Sequence, residues 1–364
     1  MSFAGGRYFA LGMASYHDSV DARNWQFHEV LTPTGDGFPS MFSAVAFGNG
    51  RYVMVGGQTH ASYSGMLLTT EDPDHPQWRP PEGWTDTAPL LAIERQNGLF
   101  VAVGGTIVTG TRIVTSTDGI LWTDRSPNFQ SSLLDVAYGA GRWVAVGGVQ
   151  LFAPTAGILL SSSNAIDWIR HDIGTVFGSR NGGFILKGVT FGHGSFLATG
   201  VGDRSFPILT GSFSGTTWST GAGEYGSSGW DVAFGDGLFV SGGHSQIASS
   251  VDGASLSWKP HASLDLRGNL VFANHTFLGI NPGAGKIWQS GDVRPRIHSA
   301  TQSNPGQMQL RIESVSDSPL TLDESSDLLH WNVRTQWVAS GSTSEVKLSV
   351  AHPAASQFFR IRSP

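Results

Sequence analysis

Asp135, Asp231 and His244 are the side chains of this sequence best suited to chemistry. A carboxylate or an imidazole serves as a general acid or base. The same three groups form a ligand set for a divalent cation, calcium or zinc, that would stabilise an anionic transition state. Trp230 and Tyr225 add flat apolar faces on which a sugar ring can stack. Lys187, Arg204, Asp203, Asn269 and His60 supply charges and an amide that would orient a ligand. Six of them have a plainer alternative. An aspartate just ahead of a strand caps loop amides, which covers Asp135 and Asp231. His244 follows two glycines and reaches a neighbouring loop, His60 sits in a polar loop, and Asp203 pairs with the adjacent Arg204.

What would gather these residues is an internal repeat, the first thing to seek in a chain of 364 residues. One phrase recurs: VAFGNGRYVMVGG from Val45, VAYGAGRWVAVGG from Val136, VTFGHGSFLATG from Val189 and VAFGDGLFVSGG from Val232. Weaker copies start at Ile93 and Leu270, and a clipped one at Phe3. The aromatic after each turn marks the register: Tyr8, Tyr52, Phe100, Trp143, Phe196, Phe239 and Phe277, spaced by 38 to 53 residues. That period suits a four-stranded propeller blade. Asn-Gly and Asp-Gly pairs fit two-residue hairpin turns. Each copy then runs to a tryptophan, as in STDGILW (Ser116 to Trp122), SSNAIDW (Ser162 to Trp168) and SVDGASLSW (Ser250 to Trp258). This reads as a third strand, a turn held by Asp or Ser side chains, and a fourth strand opened by a large aromatic.

These turns resemble the Asp-box repeat of the sialidase-like propellers and the related photosynthesis-assembly-type propellers. The family pattern is Ser-x-Asp-x-Gly-x-Thr-Trp; here Asp118 and Gly119 are adjacent, so the match is approximate. The resemblance covers about 290 residues and implies a fold, with the box on the face opposite the active site. It does not carry sialidase activity. That chemistry needs converging arginines, whereas Arg7, Arg51 and Arg142 follow the first hairpin turn and belong to the opposite mouth.

The expected architecture is therefore all-β, a seven-bladed β-propeller over residues 1–293 followed by a small antiparallel β-sandwich over 294–364. In the seventh blade GKIWQSGDV (Gly285 to Val293) reads as a third strand without a fourth, so a segment near the N-terminus is expected to complete it. The tail alternates apolar and polar residues with a period of two, as in QMQLRIES and SEVKLSV. SSDLLHW (Ser325 to Trp331) and FFRIR (Phe358 to Arg362) resemble a C-terminal domain of exported proteins from Verrucomicrobia-type bacteria. That resemblance implies an extracellular, cell-surface or periplasmic bacterial protein. The chain opens directly in a strand, which leaves room for a removed upstream segment.

Composition narrows the functions. A net charge of −6 without a Lys/Arg run argues against nucleic acid as partner. No apolar stretch is long enough for a membrane-spanning helix. The absence of cysteine excludes disulfides, thiol catalysis and Cys-ligated zinc. There is no nucleophile elbow, zincin helix or P-loop. In a propeller, the residues just before each inner strand and just after each second strand meet at one mouth of the central tunnel; nine of the ten residues named above hold such positions, and the loop GAGEYGSSGW adds Tyr225. Three functions remain. The first is an exported propeller binding a carbohydrate, small-molecule or polymeric ligand at that mouth. The second is a metal-assisted hydrolase or polysaccharide lyase acting through Asp135, Asp231 and His244. The third is a scaffold that recognises a protein partner.

Overall fold

The computed structural model describes all residues except 31–40, 58–64, 87, 151–153, 174–183, 203–205, 212–216, 224–228, 244–245, 255–257, 263–265, 267, 282–285, 291–295, 305–306, 315–318, 326–331, 340–342, 350–357 and 363–364. The described chain is all-β, without a helix, and every strand pairing is antiparallel. Between residues 2 and 289 the strands form seven consecutive sheets, each ordered as the chain runs. Their first strands are Ser2–Ala4, Met41–Gly48, Leu90–Gln96, Ser132–Gly139, Phe184–Gly192, Gly229–Gly235 and Leu270–Ala273. Each packs beside the first strand of the next sheet, and Leu270–Ala273 packs beside Ser2–Ala4, so the series closes on itself.

Local chemistry explains the repeat. All seven first hairpins turn on two residues with positive φ, among them Asn49-Gly50, Asn97-Gly98 and Asp236-Gly237. Such turns match the strand twist and favour Asn and Gly. Beside each turn an aromatic of the second strand faces the residue registered opposite it. The ring pairs are Phe3–Tyr8, Phe47–Tyr52, Tyr138–Trp143, Phe191–Phe196, Phe234–Phe239 and Phe272–Phe277, with centroids 4.5 to 4.9 Å apart. In the third sheet Arg95 takes this place over Phe100. The following glycine has a separate purpose. A Cβ on Gly139, Gly192 or Gly235 would overlap Phe191, Phe234 or Phe272 of the next sheet, so the small residue is what lets neighbouring sheets touch.

The outer strands are short and pinned by side chains. In Ser116–Trp122 the Asp118 carboxylate accepts from the amides of Ile120 and Leu121, and Trp122 Nε1 donates to the Gly119 carbonyl. Asp21 and Asn164 hold their turns in the same way. Three residues beyond the tryptophan, His28, His171 and His261 contact Asp18, Ser161 and Ser249 of the third strands at 2.5 to 2.8 Å.

The seventh sheet has three described strands. The expectation that the N-terminal segment completes it is not met: Ser2–Ala4 is the first strand of the first sheet. The first and seventh sheets join by packing instead. Tyr8, Ala10 and Ala22 share an apolar cluster with Ala273 and Leu278, and Tyr8 donates to the Ala273 carbonyl at 2.9 Å. Beyond residue 295 lie two three-stranded sheets. One holds Arg296–Asn304, Gln307–Glu313 and Thr343–Ser349, the other Pro319–Ser325, Asn332–Val338 and Phe358–Arg362. Leu310, Ile312 and Leu348 of the first share one core with Leu320 and Leu322 of the second.

Candidate functional site

The seven first strands surround a cavity of about 450 Å³. Asp135, Asp231 and Asn269 line it at the leading end of the strands, and Phe3, Gln96, Tyr138, Phe191, Phe234 and Phe272 line it toward the hairpins. Five of the seven strands carry a β-bulge at the leading end, at Ser43, Leu91, Leu134, Lys187 and Trp230. A bulge sets two residues against one and re-aims the extra side chain. All five extra residues are half-buried and directly precede Ala44, Ala92, Asp135, Gly188 and Asp231, most of which line the cavity; these bulge positions, called the collar below, are not themselves lining residues.

Two collar residues meet. Lys187 Nζ lies 4.9 Å from the centre of the Trp230 ring on the adjacent sheet. Burial lowers the Lys187 pKa. A partly desolvated ammonium over an indole gains about 1–2 kcal/mol, so each side chain orders the other.

Asp135 and Asp231, one residue beyond the bulges, have a structural task. Asp135 accepts from the amides of Val136 and Val189 at 2.8 and 2.7 Å, and Val189 belongs to the next sheet. Asp231 repeats this with Val232 and Leu270, again bridging to the next sheet. The first strand of each sheet is an open edge whose amides lack ladder partners, and an unpaired buried amide is costly. Two carboxylates thus satisfy four edge amides, and the capping alternative describes both. Gly188 leaves room for this, since a Cβ there would overlap the Asp231 carboxylate. Between the first two sheets Ser2 Oγ accepts from Val45 in a similar clasp.

Glu94 was not singled out by its residue type. It lies on the cavity wall at a repeat position that otherwise holds Ser2, Ala46, Ala137, Thr190, Ala233 or Val271, none of them charged, and that departure is the signal in the sequence. Enclosure in the cavity raises Glu94 to about 7 and Asp231 to about 6. Asp135 is pushed well above its ordinary value, by enclosure first and by the Asp231 charge second. Near neutrality the cavity therefore holds carboxyl groups that take up or release protons readily.

The structure thus brings Asp135 and Asp231 to one cavity and places Lys187 against Trp230 on the collar. Asn269 is exposed at the mouth, next to the Asp231-bound amide of Leu270. His60, Asp203, Arg204, Tyr225 and His244 lie outside the described residues. Among the described residues no group of three or more His, Asp or Glu side chains could hold a metal ion. Arg7 and Arg51 are engaged in ion pairs, Arg7 with Asp18 and Asp74 at 2.5 and 2.6 Å and Arg51 with Glu71. No helix of the described residues is long and apolar enough to cross a membrane.

No family model matches the sequence, and no curated protein matches it. Solved structures do resemble the fold. YCF48 bound to D1 peptide aligns with a TM-score of 0.54 and 13% identity over 76% of this chain and 86% of that one. YCF48 from Cyanidioschyzon merolae gives 0.52 and 15%, over 75% and 88%. The extracellular domain of the putative one-component system BT4673 from B. thetaiotaomicron gives 0.53 and 10%; it covers 86% of this chain, which spans 43% of that one. At these identities the likeness is one of fold: the chain is all-β and propeller-like.

Proposed function

We propose that this chain is an exported or cell-surface binding protein: a seven-bladed β-propeller over residues 1–293, with Asp-box-like outer turns, followed by a small β-sandwich over 294–364. It takes a carbohydrate or other polymeric ligand at the leading mouth of its central cavity. Seven consecutive sheets with cyclic neighbours support the blade count. Binding rests on one observation, the Lys187–Trp230 platform raised by two adjacent bulges. An indole stacks on an apolar ring face, and the ammonium that lies over its other face meets hydroxyl or acidic groups. Both carboxylates beneath are committed to backbone amides, which favours binding over hydrolysis. YCF48, which is similar in fold, is described as bound to D1 peptide, in keeping with ligand binding on this fold.

Arrays of neutral and acidic polysaccharides and of peptides test this reading. The full chain should be retained on at least one polymer, and Trp230→Ala should abolish that retention. Retention unchanged by Trp230→Ala would remove the platform from the site. A second reading, acid–base hydrolysis or lysis, is favoured by the near-neutral pKa values of Asp231 and Glu94. It requires turnover of a polysaccharide that Glu94→Gln or Asp231→Asn removes.

A further inference from the structure

The outer edge of the third sheet carries a second cavity, of about 470 Å³, lined by Gly83, Trp84, Asp86, Arg112, Trp122 and Asp124 among others. Arg112 and Val114 share one face of the strand Gly110–Ser116, and Asp124 is registered opposite Val114. Trp122 closes the turn that leads into Thr123–Asp124, and the segment that precedes the sheet brings Trp84 and Asp86 over it. The two indoles meet edge to face, with centroids 6.2 Å apart.

The polar groups are held in place. Arg112 spans the two acids, with Nε 2.9 Å from Asp86 and Nη1 2.8 Å from Asp124. The second oxygen of Asp86 accepts from the Ala88 amide, and that of Asp124 from the Ser126 amide. Each carboxylate oxygen carries two lone pairs, so the two acids can accept further hydrogen bonds. Fixed acceptors beside an aromatic face are what a ring bearing adjacent hydroxyls requires, and their prior ordering lowers the entropy cost of binding. A guanidinium between the acids disfavours a cation, and the residual negative charge disfavours an anion. The third sheet also departs from the repeat here. Two residues after the turn tryptophan, the other sheets hold Phe27, Pro80, Arg170, Thr220 and Pro260, none of them acidic, where this one holds Asp124.

We propose that this cavity is a binding site for a neutral pyranose unit of a glycan, separate from the mouth and independent of the reading given for it. Trp84 or Trp122 would stack on the sugar, and Asp86, Asp124 and Arg112 would bond its hydroxyls.

Saturation-transfer NMR and calorimetry of the full chain with cellotetraose, mannotetraose, chitotetraose and choline chloride test the proposal. Saturable binding of at least one tetrasaccharide is expected, weakened roughly tenfold or more by Trp84→Ala and by the exposed Asp124→Ala. The binding lost in Asp124→Ala should persist in Trp230→Ala, which removes only binding at the mouth. Asp124→Ala keeps the test decisive if Trp84→Ala fails to fold. Binding of no tetrasaccharide, or of choline alone, would overturn the proposal. So would binding that survives Asp124→Ala but is lost in Trp230→Ala, which would assign the sugar to the mouth instead.

Discussion

The two ends of the inner strands follow opposite rules. At the hairpin end all seven turns have positive φ at both central residues, and six of seven cross-strand pairs are aromatic on aromatic. At the leading end the bulge residues are Ser43, Leu91, Leu134, Lys187 and Trp230, with no shared chemistry. Uniformity marks what every sheet needs in order to pack against its neighbour. Variety on a bulge shared by five of the seven sheets marks where side chains answer to something outside the ring. The carboxylates between the two ends belong to the packing side of this division, because their oxygens hold edge amides.

Four substitutions break or sharpen the contrast. The largest effect is expected for Gly235→Val at the hairpin end. It drives new atoms into the Phe272 ring and should cost about 3 kcal/mol or more in denaturant unfolding. Asp231→Ala strips two edge amides of their acceptor and should cost roughly 2 kcal/mol; a loss of activity at full stability would move Asp231 to the functional side. Glu94→Gln should raise stability instead. The folded pKa of Glu94 is raised from 4.5 to about 7, so its favourable contribution is complete below pH 4.5 and is lost as pH rises through 7. The variant should match the parent at pH 4 and exceed it at pH 8 by about 1–2 kcal/mol, after allowance for water reaching the cavity. An equal gain at both values would contradict the assignment. Lys187→Ala should be the mildest, costing about 0.5–1 kcal/mol, while weakening ligand retention.

The hairpin end was legible in the sequence because each device there is local. An Asn-Gly pair, an aromatic two residues on and a tryptophan after an Asp-centred turn declare themselves within a dozen residues. The repeat register also picked out Lys187 and Trp230, which stand two residues before the inner-strand phrase, where the strands bulge. The function of Asp135 and Asp231 was not legible. Whether an aspartate caps or catalyses depends on amides 54 and 39 residues away, Val189 and Leu270. The joining of the seventh sheet to the first was hidden for a similar reason, because it rests on Tyr8 reaching Ala273 rather than on a strand motif. Glu94 and the Trp84–Trp122 cavity went unread because each is an exception inside the repeat or a loop laid over it.

The central claim is that the collar binds while the carboxylates beneath it hold the ring together. Calorimetry with a polymer retained by the parent chain, run on Trp230→Ala and Asp231→Asn with melting curves for both, tests it most directly. The account predicts binding lost and melting nearly unchanged for Trp230→Ala, and binding kept with a lowered melting temperature for Asp231→Asn. Binding that survives Trp230→Ala but vanishes in a fully stable Asp231→Asn would contradict it.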